Sequence, residues 1–112
     1  MKILSRAEEI ILLSILKLES DAYGVSIREQ ICKDTGDTWS FASIYTPLDK
    51  LRKKGFVKKI KGNPLPERGG KSKFFYEITP DGKQALIELY KTHRKIWSDL
   101  PRIELEFNGG SK

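Results

Sequence analysis

The stretch Ile10-Ile11-Leu12-Leu13-Ser14-Ile15-Leu16-Lys17-Leu18 constrains the fold more than any other part of the chain. Ahead of it, Ser5 and Glu8 make an S-x-x-E capping box, in which each side chain satisfies the other residue's amide. The spacing therefore predicts a helix that runs to about Leu18. At about 100° per residue, its apolar side chains fall all round the wheel, and a helix apolar on every side must be covered on every side. A chain of 112 residues is the size of one domain with a modest core. One face of this helix is therefore expected to meet the chain's own core. Another, carrying Ile11 and Ile15, is expected to meet a partner subunit.

The rest of the chain supplies the remaining elements. A second helix is read from about Tyr23 to Lys33, with Asp21 as its cap and Tyr23, Ile27 and Ile31 on one stripe. Gly36 and Asp37 break it. A third helix, capped by Ser40 or Ser43, continues to Lys54, where Gly55 supplies the stop. Its buried stripe is Ile44, Leu48 and Leu51. Opposite lie Ala42, Ser43, Thr46, Asp49, Lys50 and Lys53, and Pro47 removes one hydrogen bond from the interior. Trp39, just before this helix, reads as core. Two strands follow, Phe56 to Lys61 and Lys73 to Thr79. In the second, Phe74, Tyr76 and Ile78 alternate onto one half-buried face. The Pro- and Gly-rich segment from Gly62 to Ser72 reads as a loop between them.

The last helix has Thr79 as cap, Pro80 at its first position and Asp81 at the positive end of the dipole, and ends near Asp99, before Pro101. Leu86, Leu89, His93 and Ile96 have the 3-4-3 spacing of a helix–helix seam, which Ile87, Tyr90 and Trp97 widen. The fold class expected is α+β, mainly α: a winged helix-turn-helix over residues 1–79, an added C-terminal dimerisation helix over 80–100, and a tail over 101–112.

Charge narrows the function. The net charge is +6, but the segment from Lys50 to Lys73 holds ten Lys or Arg against Glu67 alone. The basicity is thus a local patch over the third helix and the hairpin, where a helix-turn-helix meets DNA. Ser43, Tyr45, Thr46, Asp49, Lys50, Lys53 and Lys54 are the candidate contacts on the helix. On it, Ser43 and Thr46 suit base edges or phosphates, the lysines suit phosphates or guanine, and Asp49 suits cytosine N4. Arg68, Lys71 and Lys73 are the candidates on the wing, beside Gly69 and Gly70, where an arginine can enter a narrow minor groove.

Catalysis has little support. The single histidine, His93, and the single cysteine, Cys32, fall on different helices, and no HExxH, Walker or GxGxxG motif occurs. No enzyme activity, metal or cofactor is expected. One cysteine excludes an intrachain disulfide and suits a reducing compartment. The Met1–Ser5 start has no signal-peptide pattern, the apolar run is too short to span a bilayer, and a cytoplasmic, non-membrane protein is expected.

The stretch from Ser40 to Val57, SFASIYTPLDKLRKKGFV, resembles the recognition helix of the PadR-like family of regulators. So do Tyr23-Gly24 opening the second helix and Phe75-Tyr76-Glu77-Ile78-Thr79-Pro80-Asp81-Gly82 leading into the last. One departure is that Thr46 stands between Tyr45 and Pro47, where the family's proline follows the tyrosine directly. The resemblance covers about residues 7 to 97 and implies a homodimeric repressor on double-stranded DNA, joined through the C-terminal helix. It also implies a possible small aromatic effector near the dimer helices, with Tyr90, His93 and Trp97 as contacts. The dimer residues expected are Ile11, Ile15, Leu86, Leu89, Tyr90, His93, Ile96 and Trp97. The alternative is a winged-helix protein-interaction module whose basic patch meets an acidic partner.

Overall fold

The computed structural model describes residues 4–62, 73–98 and 100. Its elements are α1 (Arg6–Leu18), a short 3-10 turn (Glu19–Asp21), α2 (Gly24–Thr35), α3 (Phe41–Lys53), β1 (Val57–Lys61), β2 (Phe74–Ile78) and α4 (Pro80–Trp97). This is the winged-helix order expected from the sequence, with the added terminal helix.

The capping box of α1 forms as the sequence predicts: the Ser5 amide donates to Glu8 Oε1 at 2.8 Å, and the Glu8 amide donates to Ser5 Oγ at 3.1 Å. Ile11, Leu12 and Ile15 then point into the centre of the fold, against Ile27, Ile31, Ile44, Leu48 and Leu51. This corrects one expectation. Ile11 and Ile15 are 0% and 2% exposed in the chain's own core, so they are not surface available to a partner. The apolar positions of α1 that face outward are Leu13 and Leu16.

α2 is not capped by Asp21. Tyr23 takes that place, its amide donating to Ser26 Oγ at 2.9 Å, while the Ser26 hydroxyl donates to the Asp21 carbonyl at 2.6 Å. The helix ends where Gly36 adopts a left-handed φ of 79°. α3 is capped by Ser40, whose Oγ accepts from the Ser43 amide at 3.1 Å. Ile44, Leu48 and Leu51 bury its inner stripe as expected, and Gly55 turns the chain out at φ 83°.

β1 and β2 pair antiparallel from Val57 with Ile78 to Lys61 with Phe74. A third edge escapes the sequence pattern. Tyr23 bridges Phe75, and the Tyr76 amide donates to the Ala22 carbonyl at 2.8 Å, tying the start of α2 to the wing. On β2, Tyr76 is buried and Ile78 half-buried, but Phe74 is exposed, because the strand end runs past the core. The wing then joins α4 tightly. Thr79 donates its amide to the Phe56 carbonyl and its hydroxyl to the Gly55 carbonyl, and its Oγ1 accepts from the Gly82 amide.

α4 lies partly on the core. Leu86 and Leu89 are half-buried against it, so part of the seam expected from their spacing already serves the chain's own packing. Ile87, Tyr90, Ile96 and Trp97 are the exposed apolar positions, the last three at 62%, 65% and 58%.

Candidate nucleic-acid interface

The outward face of α3 is polar and basic. Ser43, Tyr45, Thr46, Lys50 and Lys53 are all exposed, and Ala42 lies among them. This follows from the helical period: the stripe at 44, 48 and 51 takes the core, which leaves the remaining positions to solvent. Because Pro47 has no amide hydrogen, the Ser43 carbonyl lacks its usual partner four residues on, at the same exposed end.

Neighbouring side chains engage several of the candidates. Asp49 is engaged within the helix, accepting from Arg52 at 2.7 Å and pairing with Lys53 at 3.2 Å. Arg52 and then Lys53 hold its carboxyl below the ordinary range. In the free chain Asp49 therefore braces two cations of its own helix. Lys54 is likewise drawn away from the outer face. Its ammonium lies 3.0 and 2.9 Å from the two oxygens of Glu8, whose side chain is only 3% exposed. Burial alone would raise the Glu8 carboxyl, but donation from the Ser5 amide and from Lys54 outweighs it and holds the group below its ordinary value. Lys54 is thus a counter-ion that joins α3 to α1.

The wing strands bring their lysines to the same surface. Lys73 Nζ sits 3.8 Å from the centre of the Tyr23 ring, and Lys59 Nζ sits 4.4 Å from that of Phe74, so each ammonium is held over an aromatic face. Tyr23, Gly24, Val25, Tyr45, Lys59, Lys73, Phe74 and Tyr76 line a groove of about 510 Å³ between the start of α2, the side of α3 and the wing. Here the residues from separate parts of the sequence come together. Arg68 and Lys71, expected at the wing tip, lie outside the described residues.

The sequence reading missed an aromatic and cationic cluster at the start of α3. Phe41 and Tyr45 stack with ring centroids 6.1 Å apart, and Arg28 lies 4.9 Å over Phe41. The i, i+4 spacing of Phe41 and Tyr45 was the available signal. The part played by Arg28, from another helix, had none.

A second candidate region lies along α4. Arg6, Glu9, Ile10, Leu13, Thr35, His93 and Trp97 line a hollow of about 450 Å³. His93 Nε2 is buried there, 3.5 Å from Glu9 Oε2 and without a hydrogen-bond partner among the described residues. Of the three aromatic or imidazole groups expected beside an effector, His93 and Trp97 meet in this hollow, whereas Tyr90 is not part of its lining.

Three core helices, the third with a polar, basic outer face, and a two-stranded wing define a winged helix-turn-helix protein. The transcriptional regulator PadR-like family matches residues 12–88, and the chain belongs to that family of DNA-binding transcriptional regulators. Similar solved structures include RosR of H. salinarum, 27% identical over 88% of this chain and 83% of that one, with a TM-score of 0.64. A PadR family transcription regulator of Clostridium difficile is 26% identical over 80% of this chain and 88% of its own, with a TM-score of 0.63. A PadR-like transcription factor of Bacteroides fragilis, at 21% identity over 80% and 81% and a TM-score of 0.66, shares the fold. No curated protein matches the chain. No described helix is long and apolar enough to cross a membrane.

Proposed function

We propose that the chain is a homodimeric repressor that occludes a promoter by binding a palindromic site, with α3 in the major groove and the wing on the flanking backbone. The observation that carries this reading is the shared groove. It brings Tyr45, on the exposed side of α3, beside Lys59 and Lys73 of the wing, so one approach of the duplex engages helix and wing together. Thr46, Ser43 and Lys50 are the base-facing residues, and Lys59 and Lys73 meet phosphate.

The dimer forms through the apolar residues that the single chain leaves outside, Leu13 and Leu16 on α1 and Ile87, Tyr90, Ile96 and Trp97 on α4. Such a set on a small monomer marks an interaction surface. A small aromatic effector enters the hollow at His93 and Trp97, and by moving α4 it changes the separation of the two recognition helices. On a two-fold dimer these helices should sit about 34 Å apart, one turn of DNA.

Selection from random duplexes, followed by footprinting and sedimentation of the complex, tests the reading. The expected result is a palindrome with half-sites about ten base pairs apart, bound by two chains. Binding to every duplex alike, or a firm complex with an acidic protein and none with DNA, would support the protein-interaction alternative.

A further inference from the structure

Phosphate contacts leave one part of this surface unaccounted for. Phe41 is the first residue of α3 and 42% exposed, and Tyr45, one turn on, is 44% exposed. They are the two large apolar side chains of α3 that remain at the surface, among serine, threonine and lysine. Their rings stack at an interplanar angle of 21°. The pair is also braced from α2. The Arg28 guanidinium lies over the Phe41 ring and is itself fixed by donation from Nε to the Trp39 carbonyl at 2.6 Å. The Tyr45 hydroxyl lies against Gly24, where any side chain would collide with it. Exposed rings held this firmly have lost their rotamer freedom before any partner arrives, which favours binding over mere exposure.

The occupant follows from the place. The first turn of a recognition helix reaches base edges in the major groove. The base edges there are donors and acceptors, with one apolar group, the C5-methyl of thymine. Resting on the DNA-binding reading above, we infer that Phe41 is a specificity-determining residue that reads a thymine methyl in each half-site, with Tyr45 and Arg28 positioning its ring. Ala42 and Thr46 carry methyl groups on the same helix. The test must therefore couple the thymine to Phe41 itself.

Thymines of the selected duplex are replaced one at a time by deoxyuridine, which removes the methyl and leaves base pairing intact. Affinity is measured by fluorescence anisotropy for the wild-type chain, Phe41→Ala and Phe41→Leu. Burial of one methyl predicts that one thymine per half-site weakens wild-type binding about four-fold when demethylated. Phe41→Ala should bind the thymine and uracil duplexes equally at that position, and Phe41→Leu should keep part of the difference. The salt dependence should be the same for all three proteins, because no phosphate contact changes. If no uracil substitution weakens the wild type, the inference fails whatever the variants do. It also fails if Phe41→Ala responds to the same uracil as strongly as wild type. In both cases wild-type binding to the selected duplex still upholds the DNA-binding reading. A wild-type chain that selects no duplex overturns both.

Discussion

Replacing Lys54 with Met should destabilise the protein strongly at neutral pH and much less in acid. Glu8 is 3% exposed, and its carboxylate is compensated by the Ser5 amide and by the Lys54 ammonium at 2.9 and 3.0 Å. Methionine keeps the stem of the side chain and removes the charge, which leaves a buried carboxylate with a neutral donor. Removing one partner of a buried pair costs about 3–5 kcal/mol. The Lys54 side chain is 29% exposed, so water can replace part of what it gave, and a loss of about 2–3 kcal/mol is expected. The pH dependence has a definite sign. In the wild type the Glu8 carboxyl lies below its ordinary value, so its contribution is present above the unfolded carboxylate range and lost as pH falls through the folded value. Without Lys54, the Ser5 hydrogen bonds alone oppose burial, and Glu8 takes up a proton more readily than in the wild type. The gap between the two proteins should therefore narrow to under about 1 kcal/mol near pH 4. Urea unfolding followed by circular dichroism, at one protein concentration and at both pH values, measures this. A gap that is the same at pH 7 and pH 4, or below about 0.5 kcal/mol at pH 7, would refute the internal-pair account of Lys54.

Three other outcomes are expected. A Cβ at Gly82 would overlap the Phe56 carbonyl oxygen and come within 2.8 Å of Ile78 Cγ1, so Gly82→Ala should cost about 1–3 kcal/mol in urea unfolding despite alanine's better helix propensity. Glu19, at φ 55° and ψ −120°, holds a backbone conformation that favours glycine, so Glu19→Gly should raise stability by about 0.5–1 kcal/mol, whereas Glu19→Ala should not. Tyr90→Asp with Ile96→Asp, both at exposed positions, should yield folded monomers in sedimentation velocity. A variant that stays dimeric would place the proposed dimer elsewhere.

Much of the fold was legible because its signals are local. The Ser5–Glu8 box, the Ser40 and Thr79 caps, the stripe at Ile44, Leu48 and Leu51 and the stops at Gly36 and Gly55 each act within a turn or two of chain. Contacts made across the fold were not legible. Periodicity showed that α1 is apolar all round, yet only packing decides that Ile11 and Ile15 go inward and Leu13 and Leu16 outward. Likewise, Leu86 and Leu89 fit a seam by spacing, but spacing does not show that each also packs partly on the core of the same chain. Lys54 looked like one more cation in a basic run until Glu8, forty-six positions earlier, was found against it. The site divides in the same way. The charge run and the exposed side of α3 are sequence features. The held ammonium groups of Lys59 and Lys73, and the brace of Arg28 on Phe41, depend on which elements become neighbours.

The central claim, that α3 reads bases while the wing anchors the backbone, is tested most directly by salt titration of affinity for selected and random duplexes with Thr46→Ala and Lys73→Ala. Each phosphate contact contributes about 0.9 to the slope of log affinity against log salt. Lys73→Ala should weaken binding to both duplexes alike and lower the slope by about one unit per chain. Thr46→Ala should leave the slope unchanged and narrow the gap between selected and random DNA. If the two variants behave identically, the division between reading helix and anchoring wing is contradicted.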